Sequence, residues 1–435
     1  MENIQLKPLM CFLVLSAVFI IPVHGLISDS VQLTTPIWSN ETGENRDVLV
    51  QCSGDGKYVV SGSDTGILRM YDQTGKTLWT VQRDGKMIRS ITISGNGDYV
   101  GAVFLNPDAT SFYAKGEILF FNRTGSALWN YVDDYTMERI AISDDGNSIY
   151  TSGSPRLYSF DRNGTIIGQN ESQGRTWVLA VADDGSYAVA GGTIMEKIQV
   201  AGSQTPANRI YAFEKDGTIA WNYSTRQSIK SVGISSDGTV IVSATGSQIY
   251  EFDRIGTLLW QFNSSQEIRE AVVSGNGEYV VAGSQNAVIL LNRTGSILWN
   301  YGHHSRILSV GISDDGNHIA AGAADGVYIF NKTGNVLWHF GTLKSVFHIS
   351  VARNGRYFAT STSDTTYFFN KWGNATLIDE PNIPVKSSYP NSSSSVAMPS
   401  TPKPTPLSYM GVIGALFCIS VVLSFKKKSL CLHCF

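Results

Sequence analysis

Hydrophobic and polar residues alternate along most of this chain in short runs, and the runs recur with a fixed period. The stretch 309–338, SVGISDDGNHIAAGAADGVYIFNKTGNVLW, is the clearest copy of the unit. An acidic or Asn residue followed by Gly returns at Asp55, Asn96, Asp145, Asp184, Asp237, Asn276, Asp315 and Asn354, and the last four are 39 residues apart. A Trp follows near the end of most units, at Trp79, Trp129, Trp221, Trp260, Trp299 and Trp338, with Gly168 in the place of the third unit's Trp. Within one unit, β-branched and aromatic runs at 230–235, 239–244, 247–252 and 258–262 are bounded by turn residues. This predicts four short strands, A to D, joined by tight turns. A period of about 40 residues holding four strands is the mark of a propeller blade.

The A strands show how such blades are buried. Val50/Cys52, Ile91/Ile93, Ile140/Ile142, Leu179/Val181, Val232/Ile234, Ala271/Val273, Val310/Ile312 and Ile349/Val351 alternate with mostly small or polar residues such as Ser231, Gly233, Ser309 and Gly311. Period-two apolar residues share one face, and the small ones admit a neighbouring blade. A lone four-stranded sheet cannot bury both faces, whereas a closed ring of them does. Segment 31–38 ends in Ile-Trp at the spacing before Asp55 that Trp79 keeps before Asn96. It is therefore predicted to be the outer strand of the last blade, 346–369, whose downstream candidate at 375–378 has Leu377 in place of Trp. The predicted fold is all-β: an eight-bladed β-propeller of four-stranded antiparallel blades, closed by an N-terminal strand.

The segments YDQTGKTLW (71–79), FNRTGSALW (121–129) and FNKTGNVLW (330–338) resemble the tryptophan-docking repeat of quinoprotein-type (PQQ-like) β-propellers. The Ser-x-Asp-Gly halves also resemble WD-type repeats. The resemblance spans about 31–378 and implies the fold; for activity it implies little, since propellers serve as enzymes, scaffolds and receptors. Quinoprotein dehydrogenases, as a family, carry a vicinal cysteine disulfide and a carboxylate-rich calcium site with a catalytic Asp. This chain has no adjacent cysteines, no position matches that Asp, and neither a Gly-x-Ser-x-Gly elbow nor repeated sialidase boxes occur. No catalytic residue and no cofactor is assigned.

Outside the repeats, the ends of the chain change the picture. Residues 1–25 carry one Lys, then an apolar run from 9 to 21, and read as a secretory signal peptide cleaved after Gly25. The ectodomain follows as 26–380. Residues 381–408 are rich in Pro, Ser and Thr and read as an extended stalk. Residues 409–425 are free of charge and followed by Lys426, Lys427 and Lys428, which predicts a single C-terminal transmembrane helix with a cytoplasmic tail at 426–435. The expected location is the cell membrane, single-pass, propeller outside, a layout that resembles envelope-anchored propeller proteins of archaea. Of five cysteines, only Cys52 falls in the repeats, at an A-strand position held elsewhere by Ile, and reads as an apolar filler. A composition with 16% charged residues and net charge −3 offers no overall basic surface, and no nucleic-acid partner is expected.

Two units exceed the repeat length, by about ten residues around 104–115 and about fourteen around 193–208, both between B and C strands. B–C and D–A loops share one face of a propeller, so this face is the expected working face. Seven residues before each turn Asp or Asn, where A strands enter from that face, stand Val48, Arg89, Glu138, Trp177, Lys230, Arg269, Leu308 and Phe347. Arg89, Glu138, Trp177, Lys230 and Arg269, with Arg306 from a D–A loop, are the candidate binding residues at the channel rim, suited to an anionic or sugar-like ligand. The neighbouring His303-His304 pair shows no third ligand at suitable spacing, so no metal is assigned. Asp133 and Asp134 lie with Glu138 in one D–A connection, without an evident acid–base partner. Ten Asn-x-Ser/Thr sequons, at Asn40, Asn122, Asn163, Asn170, Asn222, Asn263, Asn292, Asn331, Asn374 and Asn391, are candidate N-glycosylation sites. The expected function is a non-catalytic surface module that binds or scaffolds an envelope protein or glycan; the alternative is a quinoprotein-type dehydrogenase or other propeller enzyme.

Overall fold

The computed structural model describes residues 32–42, 48–106, 115–171, 174–197 and 204–371. The expected signal peptide, stalk, membrane helix and tail, with Asn374, Leu377 and Asn391, lie outside the described residues. Among the described residues there is no helix, and so none long and apolar enough to cross a membrane.

Eight four-stranded antiparallel sheets form the ring, each running A-B-C-D from the channel outward. Blades one to seven span 48–82, 87–133, 136–171, 174–225, 229–263, 268–302 and 307–341. The A strands of successive blades lie side by side, and His348–Val351 of blade eight meets Val48–Cys52 of blade one. In blade five the strands are Ile229–Ile234, Val240–Thr245, Gln248–Asp253 and Leu258–Asn263, each within a residue of expectation. Blade eight takes its outer strand from the N-terminus, as Trp38 pairs with Phe368 and Glu41 with Thr365. That strand is Trp38–Glu41, not 31–38. Pro36 has no amide to give the ladder, so pairing starts at Ile37, whose N–H donates to the Phe368 carbonyl. Upstream, Gln32–Leu33 instead runs parallel to the outer strand of blade seven.

The outer Trp of one blade locks onto the C–D turn of the next. Trp79 Nε1 donates to the Arg123 carbonyl at 2.9 Å, and Trp129, Trp221, Trp260, Trp299 and Trp338 repeat the bond to Arg162, Arg254, Arg293, Lys332 and Lys371. The indole lies on the turn glycine: a Cβ at Gly125 would sit 2.6 Å from the Trp79 ring, and φ there is +82°. Both the contact and the left-handed backbone require glycine. Trp38 lies on Gly75 in the same way and closes the ring. At the one boundary without a Trp, Gly168 packs backbone against backbone, where a Cβ would meet the Asp216 carbonyl oxygen at 2.1 Å.

The A strands would be an exposed edge, and the fold caps them across blade boundaries. Ile140, Ala271 and Ile349 donate their amides to Ser90, Ser231 and Ser309 of the preceding blade, and Val310 donates to the Glu270 carboxylate at 2.9 Å. A further ring joins the residues x of the Ser/Ala-x-Asp/Asn-Gly turns. Gly95 donates to Asp144, Asp144 to Asp183, Asp183 to Ser236, Ser236 to Gly275, Asp314 to Arg353 and Arg353 to Gly54; Asp55 and Asn276 complete it by donating to Gly95 and Asp314. The A strands surround the channel, and those of blades one to six and eight line a cavity of about 580 Å³ in it.

The expected insertions lie at B–C connections. In blade four much of it is strand, not loop: the B and C strands extend to Tyr187–Lys197 and Gln204–Glu214, paired out to Lys197 and Gln204. In blade two it follows Tyr99–Leu105, and 107–114 lie outside the described residues.

Candidate functional site

Six A strands carry a β-bulge near their start, and the residue the pairing skips is Arg89, Glu138, Trp177, Lys230, Arg269 or Leu308. A bulge leaves one residue out of the ladder and re-aims its side chain. Five of the six rim candidates are therefore the unpaired residues at the channel mouth on the insertion face.

The mouth divides into two halves. Around blades two to four, Glu138 is fully buried and held by Arg89 Nε at 2.8 Å and Arg175 Nε at 2.6 Å. Arg139 lies behind them, donating to the Arg89 and Glu138 carbonyls. Burial, then the Arg89 charge, pushes its pKa down to about 10. Two guanidinium groups here share one carboxylate, with a third close by. Trp177 is half-buried, not an open platform, because its Nε1 donates to the Ile229 carbonyl at 2.9 Å.

Around blades five to eight the cations open to a pocket instead. Lys230, Arg269 and Arg306 line a pocket of about 340 Å³ with Glu267, Leu308 and Phe347. Lys230 pairs with Glu267 at 2.9 Å, which holds that exposed carboxyl below its ordinary range. Arg269 Nε donates to the Leu308 carbonyl at 3.2 Å, which leaves its terminal nitrogens to the pocket. Glu270, at the inner wall, is pushed up by burial, countered by the Val310 amide. The structure thus gathers Lys230, Arg269 and Arg306 and separates them from the Arg89–Glu138 pair.

The opposite end of the channel bears the reverse charge. Arg353 of blade eight pairs with Asp183 of blade four, half the ring away, and with Asp144 of blade three. Asp314 lies beside them, and burial, opposed by the Arg353 charge, pushes Asp144 and Asp314 up to about 6. These large side chains lie over glycine: a Cβ at Gly95 or Gly275 would be 2.5 Å from the Asp144 or Asp314 carboxylate. The sequence signal was the residue before each turn Asp or Asn, which reads Gly54, Gly95, Asp144, Asp183, Ser236, Gly275, Asp314 and Arg353 around the ring.

The remaining carboxylates near the mouth have structural partners. Asp133 is buried and accepts from the Tyr158 hydroxyl, and Asp134 pairs with Lys115 at 2.7 Å on the surface. Cys52 is buried, and burial pushes its thiol up to about 11, as expected of an inert filler. Among the sequons, Asn122, Asn292 and Asn331 use Oδ1 to cap their C–D turns, whereas Asn40 and Asn170 donate Nδ2 to the Gly75 and Gly217 carbonyls.

On the same face, in the connection between blades six and seven, the fold brings Asp325 to the histidine pair. Its Oδ2 lies 3.1 Å from His304 Nε2 and 3.7 Å from His303 Nε2. Asp325 comes from the B–C turn of blade seven, a third partner that sequence spacing did not show.

Comparisons with known proteins agree with this architecture. No curated protein matches the sequence. Among solved structures, the C-terminal WD40 domain of Sif2 is similar with a TM-score of 0.62 and 15% identity, over 78% of this chain and 98% of that one. BamB from Moraxella catarrhalis is similar with a TM-score of 0.56 and 20% identity, over 79% and 100%. Chaetomium thermophilum Sqt1, bound to the N-terminus of ribosomal protein L10, gives 0.60 and 14%, over 78% and 100%. At these identities the likeness shows the fold alone. The family model described as outer membrane protein assembly factor BamB matches residues 30–186, 154–304 and 246–379. Those segments jointly span 30–379 of the 435 residues, so the chain belongs to this family of PQQ-like propellers.

Proposed function

We propose that this protein is a non-catalytic, membrane-anchored surface module that holds an acidic group of an envelope protein or glycan at the cationic mouth of its channel. The observation that carries the reading is the convergence of Lys230, Arg269 and Arg306 on one open pocket of about 340 Å³. Exposed cations beside an apolar wall recruit an anionic partner mainly through orientation and on-rate. The half of the mouth formed by blades two to four supports the assignment by contrast, since its arginines share the Glu138 carboxylate, whereas among the described residues only Lys230 of the three pocket cations is paired with a carboxylate, that of Glu267. Asp133, Asp134 and Glu138 are likewise engaged by Tyr158, Lys115 and the two arginines, which favours binding over acid–base chemistry. Sif2, BamB and Sqt1 have propellers of the same kind, and Sqt1 holds a segment of ribosomal protein L10. The signal-like N-terminus, Pro/Ser/Thr-rich segment and apolar stretch at 409–425 support display outside the cell on a single span.

The test is capture from an envelope extract and binding to an acidic-glycan array. It uses the full chain in detergent beside the triple variant Lys230→Ala, Arg269→Ala, Arg306→Ala. The parent is expected to capture a ligand in a salt-sensitive manner, and the variant to lose at least about tenfold in affinity. Equal capture by both would move the partner site elsewhere.

A further inference from the structure

We infer that His303, His304 and Asp325 form a binding site for a divalent transition metal of the Zn²⁺ class. The site sits on the insertion face, between the D–A connection that leads into blade seven and the B–C turn of that blade.

The two histidine nitrogens stand at the distance from the Asp325 carboxylate that such an ion needs. Metal–ligand bonds of 2.0–2.1 Å in tetrahedral geometry place two donor atoms roughly 3.4 Å apart. The two measured separations from Asp325 Oδ2, 3.1 and 3.7 Å, bracket that value. All three donor atoms lie within 4.8 Å of one another. A second observation points to a ligand: the His303 side chain is 2% exposed, and its Nε2 has no hydrogen-bond partner although it faces Asp325. Leaving a buried ring nitrogen unpaired costs free energy that a bound cation would recover.

The surrounding groups are those that orient metal ligands. His303 Nδ1 lies 3.0 Å from both the Ser305 carbonyl oxygen and the Ser305 amide nitrogen, so a metal on Nε2 would select the tautomer that donates to the carbonyl over the one that accepts from the amide. Asp325 is fixed by the Ser305 hydroxyl on Oδ1 at 2.8 Å and the Tyr328 hydroxyl on Oδ2 at 2.9 Å. Tyr328 is itself held between His303, edge-on at 4.6 Å, and His339, stacked at 4.3 Å. His304 is 79% exposed, so the site opens to solvent. Two imidazoles and one carboxylate leave a coordination position for water or for a donor from a docked partner.

The test is a Co²⁺ titration of the full chain in detergent, read by visible absorption, followed by displacement with Zn²⁺. Cys431 and Cys434 of the tail are potential metal ligands too, so every protein carries Cys431→Ser and Cys434→Ser. The expected result is one Co²⁺ per chain with the intense visible bands of a four-coordinate site, bleached by Zn²⁺, and a melting temperature raised by Zn²⁺. His304→Ala removes an exposed side chain and leaves the metal-free melting temperature unchanged, yet is expected to weaken Co²⁺ binding at least about tenfold. Asp325→Asn should do the same while keeping the shape of the side chain. The assignment is overturned if the parent shows no such bands, or if both variants bind Co²⁺ as tightly as the parent.

Discussion

The two mouths of the channel are built from the same repeat and do opposite things. At the A–B end, eight turns join in a closed ring of main-chain hydrogen bonds, and Arg353 reaches across it to Asp183 and Asp144. At the other end bulges turn Arg89, Lys230 and Arg269 out of the ladder, the B and C strands of blade four lengthen, and there is no equivalent ring among the described residues. One end carries three carboxylates around one guanidinium; the other carries cations in excess. Short turns locked to each other leave little room for variation, whereas bulged strand starts and loops accept side chains without disturbing the ring. The contrast explains why the polar residues with spare bonding capacity gather on the insertion face.

The largest blow to this contrast should come from the buried half of the cationic mouth. Glu138→Gln keeps the volume of the side chain but leaves Arg89 and Arg175 without their shared carboxylate. Removing one partner of a buried ion pair typically costs 3–5 kcal/mol. Because Arg89 and Arg175 are each more than a third exposed, a loss of about 2–3 kcal/mol is expected in denaturant unfolding at pH 7. A loss below about 0.5 kcal/mol would mean that the arginines are already solvated there.

Arg353→Met tests the acidic end. It leaves Asp144, Asp183 and Asp314 facing one another across the ring, and a loss of about 2 kcal/mol is expected at pH 7, since Arg353 is a third exposed. The loss should shrink on acidification, because Asp144 and Asp314 then take up protons and the repulsion fades. A deficit that stays constant from pH 7 to pH 5 would locate the role of Arg353 in packing and not in charge.

Much of the ring was legible in the sequence because its determinants are local and repeated. The Asp-Gly or Asn-Gly turns set the blade period, and each outer Trp with a turn glycine fixes a blade boundary. The N-terminal strand was legible in kind, but Pro36 shifts its start beyond the expected segment. The mouth was legible as a set of positions, because those positions repeat, but not as chemistry. Nothing in the sequence distinguishes Arg269, which opens to a pocket, from Arg89, which is consumed by Glu138 on the next blade. Arg353 and Asp183 are 170 residues apart, and only ring closure brings them together. Asp325 meets His303 and His304 across a blade boundary, at a spacing that no linear ligand pattern contains.

The smallest effect sharpens the contrast, and its sign runs against that of the two losses above. Asp314 lies beside Arg353, and burial lifts its carboxyl from 3.8 to about 6 in the folded chain. Between those two pH values the folded chain binds more protons than the unfolded one, so stability declines as pH rises through that window. Above it, the folded state carries the cost of an ionised carboxylate near Asp183. Asp314→Asn removes that cost and keeps the shape that packs over Gly275. The variant should therefore match the parent near pH 4 and exceed it at pH 7. The gain should stay under about 1 kcal/mol, because the half-buried group is screened by water and Arg353 already offsets part of its charge. Parallel unfolding curves of variant and parent across that pH range would show that the acidic end is balanced by Arg353 alone, and the polarity of the channel would then rest on its cationic mouth.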